Sequence, residues 1–171
     1  SSPPGIGRVC VFGAGGPVGA AIAPLLSEHY ELTCTDILPL EEVAARANSF
    51  NWPAWDVELG KRVSWLTCDI TDRGQVMEAL EGCDAAINLT VNRSDPELAF
   101  RINVVGSYNI LSAASELATR RIIQTGPIAR INGYEGDYRY EYGITADAPL
   151  RAGTVLYPHT KFLGHEIADA F

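Results

Sequence analysis

Tyr157 and Lys161 stand four residues apart in the stretch YPHTK near the end of the sequence. On a helix that spacing puts both side chains on one face, with Cβ atoms about 5–6 Å apart. An ammonium beside a phenol favours the phenolate, which suits a general acid/base near neutral pH. The same lysine has donors for the hydroxyls of a ribose. Seven Tyr and two Lys in 171 positions give roughly 0.08 such pairs by chance. His159, inside the stretch, reads as a solvated helix position.

A second group lies near the start. FGAGGPVGA spaces Gly13, Gly16 and Gly19 three residues apart. Glycine there permits a tight turn and close approach of the backbone to a pyrophosphate. A helix opening at Pro17 and Val18 offers the anion unpaired N–H groups and a positive dipole end. The other reading is a structural turn. Asp36 follows 23 residues after Gly13. A carboxylate there accepts from a ribose 2′-hydroxyl and repels a 2′-phosphate, favouring NAD over NADP; the plainer reading is a cap or turn aspartate. No arginine directly follows Asp36; Ile37 and Leu38 do. Asp69, in CDITD with Ile70, stands where it reaches the adenine end of a dinucleotide, and Asp72 reads as a helix cap.

These residues need a frame, and short apolar runs alternating with helical patterns supply one. Strands are expected over 8–13, 31–36, 63–69, 84–90 and 120–126. Helices are expected over 17–29 (kinked at Pro24), 41–48, 72–82 and 96–119, and from Tyr157 to the end. Right-handed crossovers then give a Rossmann-like, doubly wound parallel sheet of order 3-2-1-4-5, with helices on both faces. Ligands of such sheets bind outside the carboxyl ends of the strands, which puts Gly13, Asp36, Asp69, Thr90 and Thr125 on one rim.

Composition narrows the function classes. The chain has 171 residues, 47% of them hydrophobic, enough for one domain with a core. A net charge of -8, with two lysines and eleven arginines scattered, speaks against a nucleic-acid partner. No apolar run is long enough to cross a membrane, and the polar start SSPPGIGR is not expected to be a signal peptide. Cys10, Cys34, Cys68 and Cys83 show no CxxC or metal spacing. They are expected to be buried free thiols in a reducing cytoplasm, and no metal is expected. Trp52, Trp55 and Trp65 read as packing residues.

Taken in order, the motifs resemble the extended short-chain dehydrogenase/reductases of the NAD-dependent epimerase/dehydratase group. GAGGPVG is similar to that family's GxxGxxG, and CDITD to its strand-three aspartate motif. FRINVVGSYNILSAA is similar to its asparagine-bearing helix, matching Asn103. ITADAPLRAG with YPHTKFLGHE is similar to its approach to YxxxK. The resemblance implies Tyr157 as acid/base, Lys161 as its modulator and a ribose ligand, Asn103 among the cofactor-binding residues, and NAD as hydride carrier. It implies a nucleotide-sugar or similar polyol as substrate, and a homodimer formed through the Pro96 and Tyr157 helices. A non-catalytic NAD-binding module is the competing expectation. Two departures support that alternative. Gly126 and Pro127 occupy the places where the family carries serine, leaving Thr125 as the adjacent hydroxyl. Thr125 either substitutes as a catalytic residue or serves as a β-branched strand residue. The family also continues beyond the YxxxK helix, so residues 1–171 are expected to be the NAD-binding Rossmann domain without its C-terminal substrate region. The stretch GYEGDYRYEYG, with Tyr134, Tyr138, Tyr140 and Tyr142 near Arg130 and Arg139, reads as a substrate-side loop or as a solvated or dimer-contact loop.

Overall fold

A computed structural model describes residues 5–46, 54–126, 151 and 155–171. Five parallel strands are hydrogen-bonded in the order β3-β2-β1-β4-β5, as the alternating pattern requires. They are β1 (Arg8–Phe12), β2 (Glu31–Asp36), β3 (Ser64–Thr67), β4 (Ala85–Asn88) and β5 (Arg121–Gln124). β1, β2 and β4 are buried almost throughout, because both of their faces are covered. β3 and β5 lie at the ends of the order and are only partly covered.

The twofold period of β1 sorts its side chains between two cores. Val9 and Val11 join Ala20, Ala23, Val43 and Leu59 on one side. Cys10 and Phe12 join Val76, Leu80, Ile110 and Ala113 on the other. The first side is covered by α1 (Pro17–Ser27), α2 (Leu40–Ala45) and a short α3 (Val57–Gly60) that the sequence pattern did not anticipate. The second is covered by α4 (Arg73–Leu80) and α6 (Ser107–Glu116). α1 runs on through Pro24 to Ser27. α2 stops earlier than expected, because Arg46 turns to an extended ψ of 123°.

The helix expected over 96–119 is three pieces in series. They are α5 (Pro96–Phe100), a π-helical segment (Arg101–Gly106) and α6. π turns widen the helix locally and often accompany functional sites. α7 (Leu156–Ala168) packs across the π segment. The crossing is close: a Cβ on Gly164 would lie 2.5 Å from the Asn103 carbonyl oxygen. Glycine is what lets the two backbones meet there.

The four cysteines are free and buried. Trp55 and Trp65 pack edge to face with ring centroids 5.0 Å apart. Among the described residues no helix is long and apolar enough to cross a membrane. Trp52, Pro127 and the tyrosine-rich stretch from Tyr134 to Tyr142 lie outside the described residues.

Candidate functional site

The carboxyl ends of the strands open into a cleft with two lobes. One of about 620 Å³ is lined by the glycine loop, Arg93, Thr125, Tyr157 and Lys161. The other, of about 360 Å³, is lined by Asp36, Ile37, Arg46, Asp69, Ile70 and Thr90. Gly13 and Gly16 border both.

The glycine loop is built to bring backbone close to whatever fills the cleft. Gly13 has φ +75°, and a Cβ there would lie 3.0 Å from the Thr90 nitrogen. A Cβ on Gly19 would lie 2.2 Å from the Ala14 carbonyl oxygen, so only glycine lets α1 start this close to β1. Gly16 caps α1 without a side chain, and Pro17 follows at the first position. In contrast α3, α4 and α5 are capped by the carboxylates of Asp56, Asp72 and Asp95. The first-turn N–H groups of α1, at Val18 and Gly19, therefore line the cleft with no anion of the described residues upon them. That is a cradle for a pyrophosphate, and the residues present fit a dinucleotide.

Asp36 ends β2 with 9% exposure. Its Oδ2 accepts from the Gly15 N–H at 3.1 Å and its Oδ1 from the Leu38 N–H at 3.3 Å. Each oxygen keeps a lone pair for a ligand hydroxyl, so the turn role leaves room for a ribose role. Asp69 accepts from the Thr71 N–H and hydroxyl at 2.9 and 2.8 Å, at the outer wall of the same lobe. Arg46 lines this lobe beside Asp36. It was not singled out from the sequence because it lies ten positions away, across α2.

In the larger lobe Tyr157 is half-buried, and the Arg93 guanidinium lies over its ring, 5.7 Å from the centroid. Lys161 is 6% exposed, and its Nζ reaches the Thr90 carbonyl oxygen at 3.5 Å. Burial, and then the charge of Arg93, bring the Lys161 ammonium down to about 8. Thr125 also borders this lobe, but its hydroxyl donates to the Asn88 carbonyl at 2.6 Å. What Thr125 offers the cleft is thus an acceptor, and donation to a substrate oxygen would require breaking that bond. The Thr90 hydroxyl is likewise committed, to Asn88 Oδ1 at 2.6 Å.

Asn103 stands apart from the other candidates. It is 1% exposed and does not border either lobe. Its Nδ2 donates to the Asn92 carbonyl and to Thr160 Oγ1, each at 2.9 Å, and its Oδ1 accepts from the Asn92 N–H at 3.1 Å. These bonds make Asn103 a clamp. It joins the strand-four loop, which carries Arg93, to the helix that carries Tyr157 and Lys161. The clamp extends inward: Ser107 Oγ donates to the Asn103 carbonyl at 2.8 Å, and Asn88 and Gln124 both donate to Ser107. The signal for this network in the sequence is polar Asn88 and Gln124 ending otherwise apolar strands.

Comparison with known proteins gives a consistent picture. The model of the NAD dependent epimerase/dehydratase family matches residues 9–171. A uronate dehydrogenase of Pseudomonas putida is 28% identical over 169 residues, covering 96% of this chain and 55% of its own length. The Bordetella bronchiseptica enzyme WbmH, solved in complex with NAD+, superposes with a TM-score of 0.73 at 16% identity, over 96% of this chain and 52% of that one. A uronate dehydrogenase from Agrobacterium tumefaciens superposes with a TM-score of 0.73 at 24% identity, over 96% and 55%. At these identities the two structures speak to the fold. The chain spans about half the length of the relatives it matches.

Proposed function

The chain belongs to the NAD dependent epimerase/dehydratase family, and on that premise we propose that it binds NAD and serves oxidoreductase chemistry at a sugar-like hydroxyl. The observation that carries this reading is one cleft joining a bare, glycine-lined helix N-terminus to Tyr157 and Lys161. The Val18 and Gly19 N–H groups would hold the pyrophosphate, with Pro17 setting the helix start and Gly13 and Gly16 letting it approach. Asp36 would accept from the adenosine ribose, and Asp69, Ile70 and Thr90 would line the adenine side. Bound NAD supplies the carbon that accepts or returns a hydride.

In the oxidative direction the Tyr157 oxygen takes the proton of the substrate hydroxyl as its carbon gives up hydride, leaving a carbonyl. Lys161 on the next turn favours the ionised tyrosine oxygen and donates to the nicotinamide-side ribose. Asn103 acts through others, holding α7 by Thr160 and the Arg93 loop by Asn92. The substrate is a nucleotide-sugar or a similar polyol, a uronic acid included, given what the Pseudomonas putida relative is named for. Leu98, Phe100, Val105 and Tyr108 are exposed along α5, the π segment and α6, with Leu163 on the neighbouring α7. That apolar face suits a second copy of the chain, to be tested by sedimentation.

One observation favours a second reading, an NAD-binding module without turnover. The Thr125 proton is already committed, and Gly126 follows where the family carries serine. Loss of one donor to a developing charge costs on the order of 10²-fold in rate.

Calorimetric titration of the 171-residue chain with NAD and with NADP tests the shared part, with micromolar NAD binding and much weaker NADP binding expected. Turnover then separates the readings. If the enzyme reading holds, Tyr157→Phe lowers the rate by about 10²–10⁴-fold and leaves NAD affinity within about twofold. Unchanged turnover in that variant would sink the mechanism.

A further inference from the structure

We infer that Arg93 is a specificity-determining residue of the reacting lobe, and that it selects a substrate bearing an oxyanion within reach of the hydroxyl at Tyr157. The inference rests on the proposed function for the location of the reacting hydroxyl; the rest comes from the surroundings of Arg93.

The chain carries a net charge of -8, yet among the described residues the charged side chains lining this lobe are Arg93 and Lys161, with no carboxylate. Arg93 forms no ion pair with any described residue. Its nearest acid in sequence, Asp95, is spent capping α5, accepting from the Leu98 N–H at 2.9 Å. An exposed arginine with no ion pair among the described residues of an acidic protein, lining a cleft, is suited to receive an anion from outside.

Its placement is not that of a loose surface side chain. The residue before it is pinned on both backbone groups by the Asn103 amide. The Asn92 side chain in turn accepts from the Ser94 and Asp95 N–H groups at 3.2 and 3.0 Å. The backbone is thus held on both sides of Arg93. The guanidinium carbon lies 5.7 Å from the Tyr157 ring centroid, within reach of a cation–π contact. Its N–H groups make no hydrogen bond to a described residue, and they form the fork that grips a carboxylate or phosphate with two parallel bonds. The repulsion Arg93 exerts on Lys161 is relieved once an anion sits between it and solvent. An anion there therefore also favours the charged form of the lysine beside the acid/base tyrosine.

Substrate carboxylate, substrate phosphate and the cofactor's own pyrophosphate share this chemistry, and three measurements separate them. The full 171-residue chain, wild type and Arg93→Gln, is titrated with NAD by calorimetry. Each is then titrated with D-glucuronate, D-glucose 6-phosphate and D-glucose by NMR shift perturbation, with and without NAD. One anionic sugar is expected to bind at least about tenfold tighter than glucose, and which one names the anion. Arg93→Gln is expected to erase that preference with NAD affinity within about twofold, and Arg93→Lys to restore part of it. The inference is overturned if the three sugars bind alike, or if the preference survives Arg93→Gln. It is also overturned if Arg93→Gln weakens NAD binding tenfold, which would assign the guanidinium to the pyrophosphate. A wild-type chain that prefers the anionic sugar, and loses that preference in Arg93→Gln, but does not bind NAD would instead sink the proposed function and leave only the anion site at Arg93 standing.

Discussion

Asp36 and Lys161 are both less than a tenth exposed, and both border the same cleft, yet the fold treats them in opposite ways. Asp36 is met by two backbone N–H groups, so its charge is satisfied before any ligand arrives. Among the described residues Lys161 has one long contact to a carbonyl and a second cation nearby. The recognition lobe is thus finished in the free protein, while the reacting lobe holds a charge that the described residues do not balance. The contrast teaches where stability has been given up. Groups that only bind can be pre-paired, whereas a group that must respond to a ligand is left short of partners.

The strongest way to break this contrast is Lys161→Met. Removal of a buried, poorly paired ammonium is expected to stabilise the protein at pH 7 by on the order of 2–3 kcal/mol, while NAD binding and turnover fall. The sign follows from proton counting. Lys161 titrates near 8 in the folded chain against an ordinary 10.5, so the unfolded chain holds the extra proton between those values. Wild-type stability therefore gains with rising pH across that window, and the variant lacks that gain. Urea unfolding of both proteins at pH 7 and pH 10.5 checks this; a destabilised Met variant at pH 7 would refute it.

Asp36→Asn sharpens the other half of the contrast. Replacing one carboxylate oxygen by an NH2 sets a donor against the Gly15 N–H, which is expected to cost about 1–2 kcal/mol of stability. NAD affinity is expected to fall about tenfold, and the preference over NADP to shrink because the repulsion of a 2′-phosphate is gone. Parallel titrations with both dinucleotides read this directly. Equal losses for both would show that Asp36 serves the turn alone.

The smallest effect is the control outside the cleft. Asp72→Ala removes the α4 cap, which accepts from the Gly74 and Gln75 N–H groups. About 1 kcal/mol of stability should go, with NAD affinity unchanged. A change in NAD affinity would mean that the lobes are not insulated from the helices behind them.

Much of the fold was legible because its cues are local. The period of two in β1 and the glycines after it fix which side chains face which core and where the loop must turn. The placement of Asp36 on the rim follows from its position at the end of β2. The cap at Asp72 was readable for the same reason. Less legible were the helix interior between Pro96 and Glu116, where nothing in the pattern marks the π turn, and α3, which is four residues long.

The sequence by itself determined the strand order, the glycine cradle and the pairing of Tyr157 with Lys161 on one helix face. These depend on spacings of a few residues, which the regular geometry of helix and strand converts directly into position. Only the tertiary structure decided that Arg93 lies over Tyr157, that Asn103 clamps two elements, and that the Thr125 proton is committed to Asn88. It also decided how deeply Lys161 is buried. Each of these joins residues from 11 to 71 positions apart. Contacts at such separations are set by how helices cross and loops close over the sheet, and no repeat along the chain encodes them.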